Sequence, residues 1–148
     1  MTVNDTGGKR MFQEMFNVGV KAPDLEAEVE FLRAFDPEEM ERVKRDADFG
    51  PKEIVSVSLA GTRLFLFPST VYDEALAERG IAFAGGIGHV SFMTTDMEHV
   101  LESASARGIE PILGPYEVTP QGHGRRRVAF FRSPNGTIIE AQQLVEAT

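Results

Sequence analysis

Two residues stand out because of what they replace. His89 and Glu140 occupy positions whose counterparts earlier in the chain are Asn17 and Phe65. The correspondence comes from an internal repeat. Asn17-Val18-Gly19-Val20-Lys21-Ala22-Pro23-Asp24-Leu25-Glu26 returns as His89-Val90-Ser91-Phe92-Met93-Thr94-Thr95-Asp96-Met97-Glu98. Further on, Gly61-Thr62-Arg63-Leu64-Phe65 returns as Gly136-Thr137-Ile138-Ile139-Glu140. The offset is 72 residues from 17 to 89 and 75 from 65 to 140, so the repeat length is kept to within a short insertion. Self-similarity at a near-fixed period marks a duplicated structural unit. The second unit carries an imidazole and a carboxylate, both able to hold a cation, where the first has an amide and a phenyl ring. Glu140 sits among Ile138, Ile139 and Ala141, and a carboxylate there is costly to bury without a partner. A metal, a cationic ligand, or an ion pair with Lys21 or Arg63 would each serve.

These side chains need strands to present them. Met11 to Ala22 alternates, with Phe16, Val18, Val20 and Ala22 on one side and Asn17, Gly19 and Lys21 on the other. Pro23 ends that strand and Asp24 is placed to cap a helix, whose stripe is Leu25, Val29, Leu32 and Phe35. The charged stretch Asp36 to Lys52 has no readable period and is expected to hold a helix end and a short strand. Ile54 to Leu59 and Thr62 to Phe67 read as strands around a tight turn at Ala60-Gly61. Pro68 to Gly86 is a linker with a helical turn over Tyr72 to Arg79. The pattern then restarts with a strand at Gly88 to Thr94 and a helix capped by Asp96 (stripe Met97, Val100, Leu101, Ala104), which Gly108 stops. A short strand from Ile112, a Gly/Pro-rich loop over Gly114 to Gly124, and strands at Arg127 to Arg132 and Thr137 to Leu144 complete it.

The expected class is therefore α+β, with two βαβββ modules forming a curved mixed sheet around a cavity. The whole chain is expected to be one domain, with module one at about residues 11–67, a linker over 68–86 and module two at about 87–145. A lone unit buries one sheet face under its helix and leaves the other bare, so two units can wrap their bare faces around a shared cup. By strand parity that face carries Asn17, Gly19, Lys21, Arg63, Phe65, Phe67, His89, Ser91, Met93, Ile138, Glu140 and Gln142. This mixture suits a pocket with apolar walls and a few polar groups. The facing units can come from one chain or from two, and a homodimer is the expected assembly. His123, in the Gly-rich loop before Arg125-Arg126-Arg127, is expected to ride on a lid and bring a general acid or a further ligand over the cup. His99 falls on the exposed side of its helix and is set aside.

The bulk numbers bound the partners. At 148 residues, 42% hydrophobic and 26% charged, the chain is ordinary for a globular protein. Cysteine is absent, which removes thiolate sites and disulfides and fits a reducing cytoplasm, the expected location. Met1 to Arg10 has no apolar core, so no signal peptide is read there, and no apolar run approaches the roughly 20 residues of a membrane span. A formal charge of −8 argues against nucleic acid, whose phosphates need a basic face. Neither a phosphate-binding loop nor a Ser-His-Asp order is present.

Asn17-Val18-Gly19 with Pro23-Asp24-Leu25, Gly88-His89-Val90-Ser91-Phe92 with Asp96, and Arg126 to Gly136 followed by Ile139-Glu140 resemble the vicinal oxygen chelate superfamily. That superfamily includes glyoxalases, bleomycin-resistance proteins, extradiol dioxygenases, fosfomycin-resistance transferases and methylmalonyl-CoA epimerases. The resemblance covers about Phe12 to Leu144 and implies a metal held by the first and last strands of each module, here at Asn17, Phe65, His89 and Glu140. His89 and Glu140 match the usual ligands. Phe65 cannot donate, and Asn17 stands where a second His is expected. An amide oxygen suits a hard cation such as Mn²⁺ or Mg²⁺ better than Fe²⁺ or Zn²⁺.

The reading that follows is a metal-dependent enzyme of the glyoxalase type. One divalent cation (Mn, Mg, Ni, Zn or Fe) on His89, Glu140 and Asn17 would chelate two adjacent oxygens of a small, oxygen-rich metabolite. It would stabilise an enolate or oxyanion during isomerase, epimerase or lyase chemistry. The resemblance to glyoxalases also implies Glu140 as a base beside the metal. Lys21, Arg63, Phe65, Phe67, Ser91, Met93 and Gln142 are the candidate substrate-binding residues, with Glu140 and His123 as the catalytic ones. The alternative is a metal-free, antibiotic-sequestering binder resembling bleomycin resistance; a ring-cleaving dioxygenase comes last, because the second His is missing.

Overall fold

Alternation of apolar and polar residues draws the chain into two matching series of elements. The first is β1 (Glu14–Lys21), α1 (Leu25–Arg33), β2 (Glu39–Asp46), β3 (Glu53–Leu59) and β4 (Thr62–Phe67). A short α2 (Asp73–Ala77) bridges to β5 (Gly86–Met93), α3 (Met97–Ser105), β6 (Leu113–Pro120), β7 (Arg125–Arg132) and β8 (Ile138–Glu146). This computed structural model describes residues 10–48 and 50–147, so the leader before Arg10 lies outside the described residues. No helix among them is long and apolar enough to cross a membrane.

The fold is mixed α+β, and its eight strands go further than a cup. They close into one barrel in the order β1-β4-β3-β2-β6-β7-β8-β5, with β5 returning to β1. Within each series the first and last strands run parallel, β1 beside β4 and β5 beside β8. Two antiparallel seams join the series. One is long, between β1 and β5, with Val18 opposite Val90; the other is short, with Arg45 and Asp46 of β2 opposite Pro120 and Thr119 of β6. Closure occurs within one chain, so no second copy is needed to complete the cavity.

The helices decide which strand faces turn outward. Asp24 Oδ1 accepts from the Ala27 amide and Asp96 Oδ1 from that of His99, each meeting a backbone donor at the first turn of its helix. α1 lays Val29 and Leu32 on Val20, Val55, Val57 and Leu66. α3 lays Met97 and Val100 on Ala129 and Ala141. Side chains of the opposite parity, including Phe65, Phe67, His89, Ser91, Glu140 and Gln142, are left pointing into the barrel.

Four expectations need correction. Phe35 lies beyond α1, is 57% exposed and packs edge-on against Phe31, because the helix ends at Arg33 and Asp36 turns the chain with φ 51. The charged stretch after it holds a full eight-residue strand, β2, in which Val43 and Arg45 are the buried residues and hydrophobic periodicity is nearly silent. Most of the expected Gly114 to Gly124 loop is β6, with a bulge between Leu113 and Tyr116 that accommodates Gly114 and Pro115. Strand parity predicts Phe16 on the helix side of β1. A register shift between Met15 and Asn17 inserts it as an extra residue and turns its ring into the barrel.

Leu66 is fully buried between α1 and the sheet. Leu66→Ala is expected to cost about 2–5 kcal/mol, read as a lower urea midpoint with an unchanged slope.

Candidate functional site

Glycine makes the space in which the site forms. Gly19 on β1 lies directly opposite His89 on β5, and a Cβ on Gly19 would sit 2.0 Å from the imidazole Cε1. The ring therefore lies across a strip of bare backbone. Gly88 does the same for a second side chain, since a Cβ there would stand 2.1 Å from the Tyr72 hydroxyl. Freed in this way, Tyr72 reaches His89 Nδ1 at 2.8 Å. Rings of Tyr72 and Phe130 meet the imidazole edge-on, each at 5.4 Å, and Phe67 tilts against it at 5.9 Å.

The other imidazole nitrogen looks at Glu140, with Nε2 3.5 Å from Oε1. The tautomer sets the roles: a phenol donating to Nδ1 puts the imidazole proton on Nε2, facing the carboxylate, whereas an Nδ1–H donating to the phenol oxygen leaves the Nε2 lone pair free for a cation. Ser91 donates its hydroxyl to the same Oε1, and Gln142 Nε2 donates to it at 2.8 Å. Register explains the convergence, because Asn17, Ser91 and Glu140 form one row across β1, β5 and β8. Burial pushes the Glu140 carboxyl up, but His89, then Ser91 and Gln142, outweigh it and hold it below the usual carboxylate range. The carboxylate is thus ionised at neutral pH though only 7% exposed. Burial, followed by the negative charges of Glu140 and Asp73, pushes the Tyr72 phenol up, so it stays protonated.

Around this pair lies an inner chamber of about 30 Å³, walled by Phe65, Phe67, Tyr72, Tyr116 and Phe130 with Arg45 and Gln142. That volume admits a water or a bare ion. Past Phe16, which lines both spaces, opens an outer basin of about 530 Å³ bordered by Arg63, Met93, His123 and Arg126. The basin is of a size that takes a small molecule.

Neither a protein-family model nor a curated protein sequence matches the chain. Solved structures do. Methylmalonyl-CoA epimerase of Streptomyces coelicolor, in complex with 2-nitronate-propionyl-CoA, superposes with TM-score 0.61 at 21% identity, over 90% of this chain and 99% of that one. Methylmalonyl-CoA epimerase of Mycobacterium tuberculosis gives TM-score 0.60 at 17% identity, over 93% and 92%. A Mn(II)-bound glyoxalase of Novosphingobium aromaticivorans gives 0.55 at 15% identity, over 90% of this chain and 39% of that one. The chain shares the fold of these epimerase and glyoxalase structures.

Within that barrel the candidate residues separate into tiers. His89, Glu140, Ser91, Gln142, Phe65 and Phe67 come together in or beside the inner chamber. Asn17 is 1% exposed, and neither its Oδ1 nor its Nδ2 has a hydrogen-bond partner among the described residues. Arg63, Met93 and His123 belong to the outer basin. Lys21 joins neither space. Its ammonium donates to the Phe83 carbonyl at 2.6 Å and pairs with Asp73 at 3.0 Å, because it ends β1 where the linker passes. It ties that linker down, outside both spaces.

His123 also differs from expectation. Its support is a tight turn between β6 and β7 rather than a long lid, and its ring packs edge-on against Phe16 and Phe65 at 5.5 and 5.6 Å. Burial, then Arg63 and Arg126, pushes its pKa down, which favours the neutral imidazole. Sequence reasoning missed Tyr72, Arg45 and Tyr116 as site residues. Tyr72 sits in the linker with nothing in its spacing to tie it to His89. Arg45 was hidden in the charged run; its Nη1 donates to the Pro51 carbonyl at 2.6 Å, and burial lowers its pKa while Tyr116 and Glu140 oppose that.

Among the described residues no three His, Cys, Asp or Glu side chains gather as a metal group. A cation here would rest on His89 and Glu140, with an amide as the third donor. Asn17 is the amide in the same strand row, and leaving such a group buried and unpaired costs about 1–3 kcal/mol.

Gly19→Ala should drive a methyl group into the imidazole and cost about 1–3 kcal/mol, with a displaced His89 C2–H resonance by NMR. Glu140 supplies a pH test. Its depressed folded pKa contributes stability that is present above the unfolded value, ordinarily near 4.5, and is lost as pH falls through the lower folded value. Glu140→Gln should therefore show a flatter fall in urea midpoint than the native chain as pH drops from the ordinary carboxylate range.

Proposed function

We propose that this chain is a small enzyme of the glyoxalase and epimerase type, which moves a proton on an oxygen-rich metabolite beside a divalent cation held by His89 and Glu140. The observation that carries the reading is the 3.5 Å approach of His89 Nε2 to Glu140 Oε1 inside a closed barrel. Two ligands bound about 2.1 Å from one cation stand about 3.0–3.5 Å apart, so the pair has the bite of a shared ion. Asn17, buried and unpaired in the same row, supplies the missing hard oxygen donor. The superposed structures include an epimerase in complex with a CoA compound and a Mn(II)-bound glyoxalase, which agrees with this chemistry.

When bound, the cation would supply Lewis acidity that holds negative charge on a substrate oxygen. The chain's own residues do the rest. Tyr72 fixes the imidazole by its bond to Nδ1, and Ser91 and Gln142 fix the carboxylate through Oε1. Those bonds leave Oε2 as the oxygen able to take a proton from a carbon acid. Aromatic walls exclude water and strengthen each charge interaction inside the chamber.

A metal-free binder is the second reading, and Phe65 favours it, since a phenyl ring lines the chamber at a position where a fourth ligand would stand. Metal analysis decides between the two. Protein purified without chelator should carry close to one divalent ion per chain, and His89→Ala and Glu140→Gln should each lose it. Equal trace metal in all three would leave the binder and remove the enzyme.

A further inference from the structure

The outer basin holds two guanidinium groups with no carboxylate in ion-pair contact among the described residues. Arg63 on β4 and Arg126 on β7 both lie over the ring of Phe16, 4.7 and 4.1 Å from its centroid. Neither forms an ion pair among the described residues. Arg126 is only 7% exposed, and its hydrogen bonds go to neutral acceptors: the His123 carbonyl at 2.7 Å, Met93 Sδ at 2.9 Å and Gln142 Oε1 at 3.2 Å. Its sequence neighbours show the contrast. Arg125 pairs with Glu117 at 2.7 Å and with Glu146 at 3.3 Å, while Arg127 pairs with Glu98. The outward arginines of the triplet are thus neutralised locally, and the inward one is not.

A buried guanidinium beside a second one, with no carboxylate in contact, is a costly arrangement that a bound anion would relieve. Burial, then the charge of Arg63, pushes the Arg126 pKa down, and the more distant Glu140 and Glu14 oppose that without overcoming it. Carboxylates that also line the basin limit what anion can enter. Glu14, Glu39 and Glu41 border the basin and are exposed to solvent, so they weaken a single negative charge little but oppose a multiply charged group.

We infer that the outer basin binds one carboxylate of a small organic acid, gripped by Arg63 and Arg126, and that phosphate-bearing esters are disfavoured there. Guanidinium groups match a carboxylate through paired charge-assisted hydrogen bonds. The inference rests on the inner chamber as the reacting centre, because the carboxylate is then the handle that holds the substrate at its door.

The test compares 2-oxobutyrate, its neutral amide 2-oxobutanamide, inorganic phosphate, and sodium chloride at equal ionic strength, by calorimetry and thermal shift. The native protein should be stabilised by 2-oxobutyrate beyond the chloride control, and not by the amide or phosphate. Arg63→Gln and Arg126→Gln should each weaken 2-oxobutyrate by at least about tenfold. Arg63 is half-buried and keeps the test available if the Arg126 variant folds poorly, which near-UV circular dichroism will show. Equal affinity in the Arg63 variant, equal affinity for the amide, preference for phosphate, or no stabilisation beyond chloride would each overturn the inference. His89→Ala should still bind 2-oxobutyrate. Metal retained without carboxylate binding defeats this inference alone, and carboxylate binding without metal defeats the proposed function alone.

Discussion

Keeping Glu140 ionised while nearly out of reach of water is the constraint on which the rest of the barrel depends. Burial alone would protonate the carboxyl, so the surroundings must compensate, and they do so by converging on one oxygen. Ser91, Gln142 and His89 come from two adjacent parallel strands, and the β5–β8 register sets Ser91 directly opposite Glu140. Hydrogen bonds of this kind are strong in a low-dielectric interior, and any one left unmade would be correspondingly costly. Arg45 and Arg126 add longer-range positive charge without touching the carboxylate as ion pairs. The result is a negative charge made tolerable but not neutralised, with one oxygen held and the other left for chemistry.

The duplicated half contributes by what it omits. Its equivalent of Ser91 is Gly19, and that missing side chain is the floor on which the imidazole of the second half rests. Its equivalent of Glu140 is Phe65, which joins Phe67 and Phe16 in an aromatic wall running from the chamber to the basin. One module supplies the frame and the other the buried imidazole and carboxylate. Because β1 and β5 pair along most of their length, the frame is coupled to the face by backbone hydrogen bonds as well as by packing.

Two spaces of very different size meet at Phe16. The inner chamber fits an ion or a water, and the outer basin fits a molecule. One aromatic ring, flanked by the Arg63 and Arg126 guanidinium groups, separates them. The bulge that places Phe16 there is a local irregularity of one strand, which shows how much of the site hangs on a single inserted residue.

Much of this was legible in the residues. The repeat announced two βαβββ units, the alternation in Phe65, Phe67, His89, Ser91, Glu140 and Gln142 named the inward face, and Asp24 and Asp96 marked both helix starts, since these features depend on spacing along the chain. Bulges, closure and cross-chain partners do not. The sequence could not reveal Phe16 turning inward, because one extra residue inverts strand parity, nor the strand within Glu39 to Asp46, because its buried face is only Val43 and Arg45. Tyr72 meeting His89, Lys21 spent on Asp73 and the Phe83 carbonyl, and Arg126 with no carboxylate in ion-pair contact among the described residues arise only when distant segments are brought together. Periodicity determined which side chains could share a space; tertiary packing alone decided which of them bond each other, because the cost of a buried charge is settled by neighbours that the chain order does not name.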